Sequence, residues 1–254
     1  MIDYKELNIM SFGMLNNQGV INFFAYMPYN FRREQIDQYK INKQIDEISK
    51  NINMKFKKIV KPHQTHTNKV VAIDSSNLND EFNNVDGLVT NLKEVGLAIS
   101  TADCQSILFY DPKKQVIGNV HSGWMGTLNR ISTNLIQLMI DKYECNPIDI
   151  QVYIEPSILK CCFEVDEDVK QKFEDEFKDI NINQFIEVGN IKEYKQKYFI
   201  DTVGINKQVL INLGSKDENI VLSNICSKCN SNYIHSHRAD GNSSGRNLSV
   251  ICLK

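Results

Sequence analysis

The sequence predicts an α/β fold built in layers, and three observations carry that reading. Short apolar runs that suit strands recur along the chain, and several are apolar at every position, as expected of strands buried on both faces. Amphipathic stretches with a helical period alternate with them. No repeat of fixed period and no low-complexity linker divides the 254 residues, a length that supports one full hydrophobic core.

The strand runs begin with KFKKIV (55–60), KVVAI (69–73), GLVT (87–90), VGLAIS (95–100), SILFYD (106–111) and QVIGNVH (115–121). They continue with IQVYIE (150–155), KYFID (197–201), NIVLSN (219–224), SNYIHSH (231–237) and LSVICL (248–253). DPKK at 111–114 is a tight turn and predicts a hairpin between its flanking strands. A charged surface helix is predicted at 33–52. Over 127–143 Leu128, Ile131, Leu135, Leu138 and Met139 share one face, with Thr127 capping the start. Val169, Phe173 and Phe177 form the stripe of a helix at 166–180. A further helix at 201–214 has Asp201 as N-cap and Gly214 just past its end.

Composition narrows the function class. Hydrophobic residues make up 42% and charged residues 24%, with a net charge of -2. No basic block stands out, so no nucleic-acid partner is expected. The first residues, IDYKELNIM, are charged at once and do not resemble a signal peptide. No apolar run approaches the ~20 residues of a spanning helix, so a cytoplasmic protein is expected. The seven cysteines are odd in number and scattered, which reads as free thiols and metal ligands in a reducing compartment.

Three stretches place a metal-binding side chain beside an apolar strand: HQTHTNKVVAI with His66, GLAISTADCQSILFYD with Cys104, and QVIGNVHSGWMGTL with His121. Two imidazoles and one thiolate form a three-ligand set with one position open, as in catalytic zinc sites. Pro62 and the β-rich VVAI make the HQTH segment non-helical, so one of His63 and His66 faces the site, and His66 is the choice. The same ligands with Met125 as a weak axial group would describe a blue-copper site. A multicopper oxidase needs many more than the five histidines present. Asp103, beside Cys104, suits a general base or a ligand-orienting carboxylate. Gly123 and Gly126 allow close backbone approach, and the helix start near Thr127 suits an anion. In CSKCNSNYIHSHRADG, Cys226 and Cys229 stand before His235 and His237, but that HxH spacing is too short for a zinc finger. Cys226 and Cys229 are therefore expected to hold no metal. Arg238, Asp240 and Arg246 lie in a Gly/Ser-rich turn, and the two arginines suit oxyanion contacts.

From about residue 55 to 254 the chain resembles the YfiH-type family, also called the laccase-domain or polyphenol-oxidase-like family. The resemblance rests on HQTHTNKV, DGLVT, TADCQSILFYDP, VIGNVHSGWMGTLNRI, IEPSILKCCFEV, FIDTVGINKQVLINLG and SHRADGNSSGRNLSVI, in family order. It implies one domain over 1–254, with 1–54 a divergent part, folded as an α/β/β/α sandwich of mixed sheets with the metal site at strand ends. It implies zinc, or copper, on His66, Cys104 and His121. It implies phosphorolysis of purine nucleosides (adenosine, inosine, guanosine, methylthioadenosine) and deamination of adenosine. Asp103 and Cys104 would be catalytic, Asp103 handling protons. Gln64, Arg238 and Arg246 would hold the nucleoside and phosphate. Other activities attributed to the family are copper-dependent phenol oxidation and removal of a misplaced serine from a peptidoglycan precursor. A non-catalytic metal-binding partner protein is the remaining alternative.

Three departures from the family pattern stand out. The stretch MSFGMLNNQGV (10–20) lacks the family's Arg-Gly-Gly, Met125 replaces a basic residue, and Glu155 replaces a Gly. All three are expected near the pocket, and weak phosphate binding is the expected consequence.

Overall fold

A computed structural model describes residues 2–4, 8–11, 19–192 and 195–254. Strands β1 (Ile2–Tyr4), β2 (Ile9–Ser11) and β3 (Val20–Ala25) come first, then helix α1 (Gln38–Asn51). β4 (Lys58–Val60), β5 (Val70–Ala72) and β6 (Gly87–Thr90) follow. β7 (Val95–Thr101), β8 (Gln105–Asp111) and β9 (Val116–Ser122) form the centre. Helices α2 (Trp124–Leu128) and α3 (Ile131–Tyr143) lead to β10 (Gln151–Ile154), β11 (Glu164–Val165) and α4 (Glu167–Glu176). The rest comprises β12 (Ile186–Lys192), β13 (Lys195–Ile200), α5 (Thr202–Asn212), β14 (Ile220–Leu222), α6 (His237–Asp240) and β15 (Asn247–Leu253).

Two mixed six-stranded sheets stack face to face, ordered β1-β2-β3-β15-β7-β4 and β14-β10-β8-β9-β6-β5. A small third sheet is ordered β11-β13-β12. The period of two along each strand assigns its side chains. On β8, Leu108 and Tyr110 enter the layer between the sheets with Phe24, Leu97 and Ile251. Ile107 and Phe109 point the other way, under Leu135 and Met139 of α3 and Leu210 of α5. Ile41 and Ile48 of α1 cover the far side of the first sheet, on Phe23, Ala98 and Val250. The result is the α/β/β/α sandwich of mixed sheets. β8 and β9, joined by the Asp111 turn, are buried at every residue, their polar members Ser106, Asn119 and His121 included.

The helix predicted at 33–52 is present but starts at Gln38, where Asp37 caps it by accepting from Lys40 N at 2.8 Å. The ends of α5 are as predicted. Asp201 caps α5 through Gly204 N at 2.8 Å, and Gly214 follows at φ 99°. Two expectations do not hold. The 127–143 helix breaks at Arg130, whose φ of 53° ends α2 and redirects the chain. Thr127 therefore caps nothing: it lies inside α2, its hydroxyl 3.0 Å from Ser122 Oγ and accepting from Asn206 Nδ2 at 3.0 Å. Arg130 instead reaches Glu176 and Asp179 and lies over the Phe177 ring. The 231–237 segment is a turn, not a strand. Asn230 folds back on Cys226 O, and Asn247 holds the His235 amide.

A polar ladder crosses the layer between the sheets. Ser106 donates to Asn119 at 2.7 Å, and Asn119 donates to Ser249 Oγ and Leu97 O, each at 3.2 Å. Glu155 faces the same layer and is fully buried. Its carboxyl oxygens have no partner at hydrogen-bond distance among the described residues. Burial pushes this carboxyl up to about 8, with the nearby Ser249 and Ser106 hydroxyls pulling the other way. Glu155 is thus held neutral, in the core and not in a pocket as expected from sequence. A raised folded pKa means that the folded chain binds the proton more tightly than the unfolded chain. Its stabilising effect is complete below the ordinary carboxylate range and is lost as pH rises towards about 8. Denaturant titrations should show stability falling between pH 5 and 8, by at most about 1.4 kcal/mol per pH unit from this group. Glu155→Gln should flatten that slope, and an unchanged slope would show that Glu155 is ionised.

Candidate active site and metal centre

The site lies where the loop before β5, the turn between β7 and β8, and the end of β9 meet. His66 sits in that loop at φ 64°, and Asp103 sits in that turn at φ 87°. Non-glycine residues adopt this left-handed region rarely, and the surrounding bonds must hold them there. For the His66 loop the holder is Asp86, which immediately precedes β6. Its carboxylate accepts from the amides of Thr65 (3.2 Å), His66 (3.1 Å) and Thr67 (2.7 Å) and from Thr67 Oγ1 (2.8 Å). The same carboxylate accepts from His121 Nδ1 at 2.8 Å, and Asp86 O accepts from the His121 amide at 2.7 Å.

His121 thus turns its other ring nitrogen toward Cys104. His66 Nε2 lies 3.9 Å from Cys104 Sγ, and the two imidazole rings meet edge-on at 4.8 Å. One ligand atom from each of His66, Cys104 and His121 lies within 4.8 Å of the others. A Cβ at position 123 would stand 2.9 Å from Cys104 Sγ and 3.2 Å from His66 Cδ2, so only glycine leaves the sulfur its place.

These groups shift one another's proton affinity. Burial would push the Cys104 thiol up, but the His121 and His66 rings outweigh it and bring it down to about 6. Burial would likewise depress His121, but Cys104 and Asp86 raise it to about 9. Burial opposes ionisation of Asp86 too, and the bonds from His121 and Thr67 overcome it, to about 2. A thiolate, two imidazoles and a carboxylate bonded behind one of them fit a metal ion, because such outer carboxylates orient ligating histidines.

Two cavities open on Cys104. One, of about 380 Å³, has Arg32, Arg33, Lys61 and Arg246 in its wall with His63 and Gln64, and a single carboxylate, Glu34, paired with Arg32 at 3.3 Å. The other, about 160 Å³, is more apolar, with Trp124, Ile158 and Phe163 in its wall. Ala102, Cys104 and His237 line both.

The family profile described as "Multi-copper polyphenol oxidoreductase laccase" matches residues 14–254. The chain belongs to this family. A relative in this laccase-type family, purine nucleoside phosphorylase YlmD of Bacillus subtilis, is 32% identical over 198 residues, 75% of this chain and 69% of that protein. Purine nucleoside phosphorylase SSP1584 of Staphylococcus saprophyticus is 29% identical over 97% of this chain and 93% of its own length. Adenosine deaminase RL5, from an unknown prokaryotic organism, is 32% identical over 77% of this chain and 75% of its own. Among solved structures, the Bacillus licheniformis hypothetical protein YfiH superposes with a TM-score of 0.86 at 24% identity, covering 97% of each chain. YlmD of Geobacillus stearothermophilus gives 0.81 at 22% identity over 93% of this chain and 92% of that one. These two show that the sandwich is shared.

The other residues of sequence interest are placed as follows. The Asp103 carboxylate is occupied: Oδ1 accepts from Ser227 Oγ (2.6 Å) and Ser236 Oγ (2.7 Å), and Oδ2 from Arg238 N (2.6 Å). Gln64 clasps Ser100 at both ends of its amide, with Nε2 2.9 Å from Ser100 O and Oε1 2.9 Å from Ser100 N. Arg238 donates to the carbonyls of Cys162 and Glu164 at 3.1 Å each and lies over Phe163. Arg246 lines the cationic cavity and donates to Gly245 O at 2.8 Å. His63 lines that cavity and stands apart from the ligand group, whereas His235 Nε2 donates to Tyr29 O at 2.8 Å. Met125 lines neither cavity. Of the 10–20 stretch, residues 12–18 lie outside the described residues. No helix among the described residues is long and apolar enough to cross a membrane.

Sequence reasoning gave no role to Asp86, Lys61, Arg32 or Arg33. Asp86 had one signal: an acid directly before the apolar strand GLVT, where only a buried partner accounts for it. If His66, Cys104 and His121 hold a metal ion, Asp86→Asn should weaken its binding by roughly 10–100-fold, the range for outer-shell partners. Competition with a coloured chelator would measure this, and circular dichroism would check folding. Unchanged affinity would remove Asp86 from the site.

Proposed function

We propose that this chain is a zinc-dependent purine nucleoside phosphorylase that also deaminates adenosine. The observation that carries the reading is the meeting of two unlike cavities at Cys104 and His237. The cationic one suits phosphate, and the aromatic-walled one suits a purine ring. The family's relatives named as phosphorylases and as a deaminase support the same substrate class. Zinc on His66, Cys104 and His121 would supply Lewis-acid polarisation of an oxygen at the junction.

The chain's own groups do the rest. Arg33, Lys61 and Arg246 bind and orient phosphate, replacing the charges that the sequence lacks elsewhere. A phosphate oxygen forms a bond to C1′ of the ribose as the C1′–N9 bond breaks. The bonding pair leaves with the base, which takes a proton and departs, leaving ribose 1-phosphate. His237, exposed and shared by both cavities, is the group placed to deliver that proton. Asp103 acts as a positioning residue, because its three accepted bonds fix Cys104 against the 227 and 238 loops. Deamination of adenosine takes the opposite pose, with C6 of the purine at the junction: water forms the C6–O bond, the bond from C6 to the exocyclic nitrogen breaks, and that nitrogen takes a proton and leaves as ammonia.

Purified protein with zinc should convert inosine and phosphate to hypoxanthine and ribose 1-phosphate. Cys104→Ala should abolish this, and His237→Gln should lower kcat by ~10²-fold or more. If wild type is silent toward every purine nucleoside at high phosphate, the reading fails.

The pH profile tests the phosphate pocket separately. Burial, with help from Arg33, brings Lys61 down to about 8, and its ammonium donates to Phe31 O at 3.0 Å. A lysine with a lowered pKa is charged below that value and neutral above it. KM for phosphate should therefore rise as pH passes about 8. Lys61→Arg, whose guanidinium stays charged, should remove the rise. The same rise in that variant would place the titration elsewhere.

A further inference from the structure

The residues CysCys at 161–162 and CxxC at 226–229 are far apart in sequence, and the fold brings them together. After β10 the chain turns at Leu159, whose carbonyl accepts from the amides of Cys162 and Phe163 at 2.9 Å each. The second loop turns at Cys226, whose carbonyl accepts from Asn230 N at 3.1 Å and Asn230 Nδ2 at 2.8 Å. Ser157 ties the two loops: its amide donates to Ile225 O at 3.2 Å, and its carbonyl accepts from Ser227 N at 2.9 Å.

The four sulfurs of Cys161, Cys162, Cys226 and Cys229 lie within 4.8 Å of one another. Cys229 Sγ is 3.8 Å from Cys161 Sγ and 3.4 Å from Cys162 Sγ. A disulfide would need about 2.05 Å. A tetrahedron of thiolates at Zn–S of about 2.3 Å has edges of about 3.8 Å. All four are free cysteines.

We propose that Cys161, Cys162, Cys226 and Cys229 form a second metal site, a closed tetrathiolate site for zinc that clamps the two loops behind Cys104. This reverses the expectation that Cys226 and Cys229 hold no metal. That expectation paired them with His235 and His237, whereas their neighbours are the other two cysteines. Four protein sulfurs leave no open position, so the site is structural and not catalytic. Its effect on the active site runs through two bonds already described. Ser227, inside the CxxC turn, donates to Asp103, and Cys162 O accepts from Arg238. The clamp thereby holds the groups that position Cys104. The proposal does not depend on the purine reading.

The test is zinc content per chain in protein prepared under reducing conditions, loaded with zinc and dialysed. Wild type should hold two equivalents, Cys104→Ala one, Cys229→Ser one, and the double variant none. Cys104→Ala loaded with cobalt should show a sulfur-to-cobalt charge-transfer band, since its remaining thiolate cluster is the tetrad. Cys161→Ser in that background should diminish the band. One zinc in wild type that Cys229→Ser retains would overturn the proposal, as would a Cys162–Cys229 disulfide mapped in the reduced preparation. Should Cys229→Ser fail to fold, the cobalt spectrum decides: absence of the band in folded Cys104→Ala overturns the site.

Discussion

The grouping of His66, Cys104 and His121 depends on the carboxylate of Asp86. It has no exposed surface, yet it remains ionised because five donors converge on it. Hydrogen bonds to a charged group are worth about 1.5–3 kcal/mol each, while a buried carboxylate without partners is driven to neutrality. The loop amides and His121 therefore both stabilise the anion and are positioned by it. One side chain sets the left-handed turn at His66 and the ring orientation of His121 together. Neither ligand could be placed by its own strand, since His66 lies in no strand and His121 has a rotatable ring.

Buried polar networks extend this logic into the fold. Ser106, Asn119 and Ser249 link the two sheets, while Gln105, Asn206, Thr202 and Thr127 link β8 to α5 and α2. Buried amides and hydroxyls are costly unless paired, so such networks strongly disfavour other registers. Both networks start on β8, immediately after Cys104. The strand that carries the cysteine turn is thus fixed on both faces by groups with one satisfying arrangement.

Much of this was legible in the sequence where one physical signal dominated. The apolar stretches Ile107–Tyr110 of β8 and Val116–Gly118 of β9, with the Asp111 turn between the strands, gave the central hairpin, and Asp201 and Gly214 bracketed α5. The grouping of His66, Cys104 and His121 could be read because all three recur beside apolar strands, and the fold brings one ligand atom of each within 4.8 Å of the others. What was hidden depended on partners distant in the chain. Thr127 has the form of a cap, but Ser122 and Asn206 take its hydroxyl. The 231–237 run has a strand's alternation, yet Asn230 and Asn247 bind its backbone into turns. Arg33 and Lys61 read as surface charge until the fold faces them across a cavity toward Arg246. Cys161 and Cys162 have no local partner and gain meaning only beside Cys226 and Cys229.

The central claim is a metal centre of three protein ligands with one position open. Anomalous diffraction at the zinc edge, from crystals grown with zinc, tests it most directly. The account predicts a peak bonded at about 2.0–2.3 Å to His66, Cys104 and His121, with a fourth ligand that is not part of the protein. A zinc closed off by a fourth side chain, or no zinc at these three residues, would contradict it.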